Sequence, residues 1–146
     1  MRDAGLLIVD AQVGFDPSHD LLARIEDASH GYRTVVMTRF INQPNSLYRT
    51  VLDWHGDGGE LALQIPCTLI LDKTGYGLAS SHIEALKGLC VEWHLCGLET
   101  DACVLACAFS LWDARMRPII LHDMCDSPLH TEGVAVARRQ FGEFQP

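Results

Sequence analysis

Five short apolar runs alternate with helix-like segments along this chain, and three of the runs end in an aspartate. The runs are Gly5-Leu6-Leu7-Ile8-Val9-Asp10, Thr34-Val35-Val36-Met37-Thr38, Cys67-Thr68-Leu69-Ile70-Leu71-Asp72, Val91-Glu92-Trp93-His94-Leu95-Cys96 and Pro118-Ile119-Ile120-Leu121-His122-Asp123. Near-continuous apolarity over so few residues suits strands buried on both faces, as in a parallel sheet. Helical spacing between and after them covers residues 21–30, 80–88, 101–116 and 131–140, and a short helix is also expected over 61–65. Strands alternating with helices imply right-handed crossovers. The fold class expected is therefore α/β: three layers, with an open, mostly parallel, Rossmann-like sheet and helices on both faces.

The chain of 146 residues has room for one domain with one proper core, expected over 1–146. No apolar stretch approaches the ~20 residues that span a bilayer, so no membrane partner is expected. The amino terminus has no signal-peptide layout, which makes a cytoplasmic location the expectation. A formal net charge of −8, with 19 acidic residues, would repel a phosphate backbone, so nucleic acid is not expected as a partner. The six cysteines include no C-x-x-C pair, which speaks against a structural zinc ribbon and for reduced, mostly buried thiols.

In such sheets ligands sit beyond the carboxyl ends of the strands. Asp10, Asp72-Lys73, the turn from Gly97 to Cys103, and Asp123 all fall there. With Thr100 as N-cap, Cys103 is expected as the third residue of a helix, where unpaired N–H groups and the helix dipole favour a thiolate. Residues 39–59 form a long irregular stretch rich in Asn, Pro and Gly, and a connection of that length in a compact domain is usually functional.

Val9-Asp10-Ala11-Gln12-Val13-Gly14-Phe15, Lys73-Thr74-Gly75-Tyr76 and Gly97-Leu98-Glu99-Thr100-Asp101-Ala102-Cys103-Val104 occur in the order that marks the isochorismatase-like cysteine hydrolases. The chain resembles that family, which includes nicotinamidases and other small-amide hydrolases, from Gly5 to about Ser127. The resemblance implies a triad of Asp10, Lys73 and Cys103. In those roles Asp10 would take and return the thiol proton, and Lys73 would keep Asp10 ionised and lower the thiol pKa. It further implies a cis peptide at Leu98–Glu99 and an oxyanion hole built from the N–H groups of Glu99 and Cys103.

The family's metal pattern is broken. Thr38-Arg39-Phe40-Ile41-Asn42 puts Phe40 and Asn42 where nicotinamidases carry Asp and His, so no metal or other cofactor is expected. His55, His122 and Cys125 read as loop and packing residues. Phe15 matches a position that lines the family's site, and Trp54 and Tyr76 are further candidate pocket walls. Arg39 and Asn42 are candidates for orienting a polar or anionic substrate. The relatives continue into another strand and helix where this chain ends, which implies an open sheet edge covered by a partner subunit, hence a homo-oligomer.

The expectation that follows is a metal-independent cysteine hydrolase that cleaves a small amide or ureido C–N bond through a thioester on Cys103. Two alternatives stand beside it. One is a catalytically idle small-molecule-binding or scaffold protein on the same fold. The other is a thiol redox protein using Cys103 and Cys107, one helical turn apart.

Overall fold

The computed structural model describes residues 1–143; residues 144–146 of the expected domain lie outside them. Five strands, β1 (Gly5–Val9), β2 (Val35–Phe40), β3 (Leu69–Lys73), β4 (Glu92–Leu98) and β5 (Arg117–Asp126), form one sheet in the order β3-β2-β1-β4-β5. Every neighbouring pair is parallel. The expected runs thus became the strands. β5 reaches further than Pro118–Asp123 because its register shifts: Leu95 pairs with Ile120 but Gly97 with Cys125, so residues 121–124 bulge out.

The alternation of side chains along each strand sends residues to two cores. Leu6 and Ile8 of β1 pack with Met37, Cys96, Leu21 and Ile25 on one face. Leu7 and Val9 pack with Val36, Leu95, Leu86, Leu105, Ala108, Leu111 and Ala137 on the other. α1 (His19–Ser29) therefore covers the first face, and α3 (Ser80–Lys87), α4 (Leu105–Asp113) and α5 (His130–Phe141) the second. A single turn, α2 (Leu47–Thr50), interrupts the irregular stretch after β2. Among the described residues no helix is long and apolar enough to cross a membrane.

Two helix starts and one cap differ from expectation. α1 begins at His19 because the Ser18 hydroxyl accepts the Leu21 N–H (3.1 Å). At α3, where residue type favours Ser80 or Ser81 as cap, Ala79 holds the cap position instead, and its N–H goes to His82 Nδ1 (3.0 Å). The helix expected from 101 opens instead as a wide π turn, Thr100–Val104, with Glu99 as its N-cap, before α4 proper. Residues 61–65 form no helix; Leu61 bridges antiparallel to Gln12.

The chain order reverses between β1 and β4, and a crevice opens beyond their carboxyl ends. Gly97 makes the close approach there possible. Its φ is +114°, and a Cβ at this position would strike the Val9 carbonyl oxygen. The end of β4 thus lies directly against the end of β1, and the residues after each face one another.

Candidate active site

The crevice contains a cavity of about 290 Å³. Asp10, Ala102 and Cys103 form its floor, and Leu52, Leu98 and Glu99 part of its rim. Five rings, of Phe15, Phe40, Tyr48, Trp54 and Tyr76, complete the lining.

Asp10 follows the last residue of β1 and is fully buried, with a left-handed backbone (φ 47°) that aspartate tolerates better than most residues. Its N–H donates to Thr38 Oγ1 (3.0 Å), and the Thr38 hydroxyl donates back to Oδ1 (2.6 Å). Oδ2 stands 2.8 Å from Lys73 Nζ but accepts no well-directed hydrogen bond. That oxygen is thus held chiefly by the ion pair with the ammonium. Lys73, the last residue of β3, is 1% exposed, and its ammonium also donates to the carbonyls of Gly75 (2.8 Å) and Tyr76 (3.0 Å). It lies 5.4 Å from the centre of the Phe40 ring. Burial would lower the Lys73 pKa, but Asp10 and then the thiols of Cys103 and Cys107 outweigh it, so the pKa is raised and the ammonium keeps its charge.

Cys103 lies on the π turn, half-buried, at the floor of the cavity. The Glu99 carbonyl accepts from the N–H groups of Ala102 (3.1 Å) and Val104 (3.2 Å), passing over that of Cys103 between them. The Leu98–Glu99 peptide is cis. The thiol does not have the lowered pKa expected of a helix start. Burial, then the Asp10 carboxylate, push it up to about 12, against the opposing pull of Lys73. Burial disfavours the charged thiolate, and a neighbouring carboxylate adds to that by holding the proton on sulfur. Burial and the carboxylate together thus favour the protonated thiol over the thiolate.

The other predicted residues divide between wall and scaffold. Phe15 and Trp54 are nearly stacked (centroids 6.1 Å apart, 22° between planes), and Tyr76 meets Tyr48 edge-on at 5.0 Å. Arg39 and Asn42 do not line the cavity. Arg39 is exposed and forms a two-point pair with Asp72, through Nε (2.8 Å) and Nη2 (3.1 Å). Asn42 is buried, and its Nδ2 donates to the carbonyls of Trp54 (3.3 Å) and Gly56 (2.7 Å) while its Oδ1 accepts from the Ser46 hydroxyl. Asn42 thus staples the loop that carries Trp54. His55 is exposed and pairs with Asp53, and His122 pairs with Asp123. Cys125 is buried, as is Cys107, whose Sγ faces the Tyr76 carbonyl (3.7 Å).

Four residues escaped the sequence reading of the site. Thr38 orients Asp10, and Phe40, read there only as a lost ligand, is a wall. Tyr48 closes the ring cluster, and burial pushes its phenol up, followed by the influence of Cys103, Tyr76 and Asp10. Gln12 is the fourth. Its Nε2 donates to the carbonyls of Phe40 (3.1 Å) and Gly59 (2.8 Å), and its Oε1 accepts the Phe40 N–H (2.8 Å), so one buried amide ties the end of β2 to the loop. Gly58 lets that amide fit, since a Cβ there would strike it. The available signal was D-x-Q itself, a glutamine two residues beyond a strand-end aspartate.

No family model matches the chain, and no curated protein matches it in sequence. Solved structures do match. A pyrazinamidase of Pyrococcus horikoshii in complex with zinc superposes with a TM-score of 0.82 at 16% identity, covering 96% of this chain and 97% of that one. An isochorismatase-like hydrolase from Alkaliphilus metalliredigens gives 0.80 at 15%, covering 96% and 92%. An N-carbamoylsarcosine amidase from Thermoplasma acidophilum gives 0.77 at 19%, covering 95% and 92%. The residues present here do not fit a metal such as that zinc: the Phe40 ring and the stapling Asn42 amide take the places after β2, and no group of three or more His, Cys, Asp or Glu among the described residues is placed to hold an ion. With that difference at the site, the chain has the fold of the isochorismatase-like hydrolases.

Proposed function

We propose that the protein is a metal-independent cysteine amidohydrolase acting on a small amide or ureido C–N bond. The observation that carries this reading is the buried Asp10–Lys73 pair at the cavity floor beside Cys103, with one carboxylate oxygen free of other partners. The structural neighbours include a pyrazinamidase and an N-carbamoylsarcosine amidase, which supports amide hydrolysis.

The reaction begins with a neutral thiol. As Sγ of Cys103 attacks the carbonyl carbon, its proton passes to Asp10 Oδ2, so that no free thiolate need accumulate. Charge develops on the substrate oxygen, which the N–H groups of Glu99 and Cys103 receive. The C–N bond breaks, the leaving amine or ammonia takes the proton from Asp10, and a thioester remains on Cys103. Water then attacks the thioester and gives its proton to Asp10. When the second tetrahedral adduct collapses, the proton returns to sulfur and the acid departs. Throughout, Lys73 stays charged and stabilises Asp10 whenever it is ionised.

The upward push of burial and Asp10 on the Cys103 thiol is what favours the idle-binder alternative, since an unactivated cysteine would look the same. Ammonia release across a panel of small amides, with Cys103→Ala as control, separates them. Turnover abolished by the substitution, with a trapped acyl adduct on Cys103 in the parent protein, supports the hydrolase. Full turnover in the variant, or no adduct under trapping conditions, would sink it.

A further inference from the structure

The wall of the cavity is one continuous set of rings. Phe40 meets Trp54 at 6.0 Å (30° between planes) and Tyr48 at 5.0 Å, and Tyr48 also reaches Trp54 at 6.0 Å. No lysine or arginine is among the lining residues. The nearest cations are all committed: Lys73 to Asp10 and two carbonyls, Arg39 to Asp72, and Arg49 to the carbonyls of Gln43 (2.9 Å), Asn42 (3.0 Å) and His55 (3.4 Å). The charged group left at the rim is the Glu99 carboxylate, which is exposed and makes no ion pair among the described residues. Burial raises its pKa, and so do Asp101 and Asp126 nearby, with no cation opposing them.

An anionic tail on a substrate would meet like charge and the negative faces of the rings. An uncharged one would remove water from Glu99 without supplying a partner, which costs free energy. A cation satisfies both, by ion pairing to the carboxylate and by attraction to the ring faces. We propose that the cavity takes carboxamides bearing a cationic alkylammonium group, held between the aromatic wall and Glu99, and that Glu99 sets this preference. This deepens the amidohydrolase reading and relies on it only for turnover as the readout.

Three carboxamides of similar size test it: trimethylammonioacetamide, its uncharged isostere 3,3-dimethylbutanamide, and succinamate. The measurement is kcat/KM for ammonia release by the parent protein and by Glu99→Gln, which keeps the backbone N–H. In the parent the cation should exceed the neutral isostere by about tenfold, chiefly through KM, with succinamate lowest. In Glu99→Gln the cation-to-neutral ratio should fall to about twofold, the part the rings alone retain. A parent preference for the neutral amide, or a ratio unchanged by the substitution, would overturn the proposal while leaving the hydrolase reading intact. If the parent cleaves none of the three, calorimetric binding to Cys103→Ala decides. Tighter binding of the cation than of its isostere, lost when Glu99→Gln is added, supports the proposal. Equal binding, or none, overturns it.

Discussion

The floor and the wall of the cavity are built in different ways. Lys73 ends β3, in register with Phe40, and Asp10 directly follows β1; both are almost wholly buried. Trp54 and Tyr48 ride on the irregular segment after β2, which is held to the body by side-chain amides, Gln12 from below and Asn42 from within. In the proposed reaction, the chemistry would sit on the part held by the sheet and recognition on the part that can be re-cut without disturbing it.

The largest effect should follow from breaking the floor. Lys73→Met leaves Asp10 buried without its counter-charge, and denaturant melts should show a loss of about 3–5 kcal/mol together with loss of turnover. A loss under about 1 kcal/mol would mean that the pair is not what holds the floor.

The raised thiol pKa supplies the next contrast. A group whose pKa lies near 12 gains thiolate as pH rises towards it, so alkylation of Cys103 by a neutral reagent should quicken about tenfold per pH unit, roughly a hundredfold from pH 8 to pH 10. In Asp10→Asn the rate at pH 8 should be higher than in the parent, because the charge that holds the proton is gone. A plateau already reached near neutral pH would establish a preformed thiolate and reverse the order of steps proposed above.

Loosening the wall should cost less and act elsewhere. Asn42→Ala strands the Trp54 and Gly56 carbonyls, worth about 1–3 kcal/mol, and should raise KM and proteolytic nicking of the loop while leaving Cys103 alkylation unchanged. Slower or faster alkylation in this variant would show that floor and wall are coupled. The smallest effect is expected outside both. Arg39→Ala removes an exposed pair and should shift stability by no more than about 0.5 kcal/mol without altering KM. A raised KM there would bring Arg39 back as a substrate contact.

The strands were legible because a short, near-continuous apolar run suits a strand within a parallel sheet, whereas the longer apolar run Ala102–Phe109 carries on into helical spacing and became helix. Asp10, Lys73 and Cys103 were legible because each follows or ends such a run, and the carboxyl ends of parallel strands share one side of the sheet. The helix starts were less so. Ala79 caps α3 only because His82 of that helix reaches back to it while also bonding the Asp72 carbonyl. Thr100, an evident cap by residue type, spends its hydroxyl on His130 Nδ1 (2.7 Å), thirty positions on. Local chemistry proposes a cap, and a distant partner can take it away.

The same division runs through the site. Sequence alone determined the strand layout and that Asp10, Lys73 and Cys103 come at strand ends and turns on one side of the sheet, since these depend on residue type and on position along a strand. Tertiary structure decided that Asn42 is a staple, that Phe40 and Tyr48 are walls, and that Arg39 faces Asp72 rather than a substrate. It also decided the protonation of Cys103. A helix start beside a lysine favours a thiolate, but burial and the Asp10 carboxylate reverse the balance, and neither proximity nor burial is written in the spacing of residues along the chain.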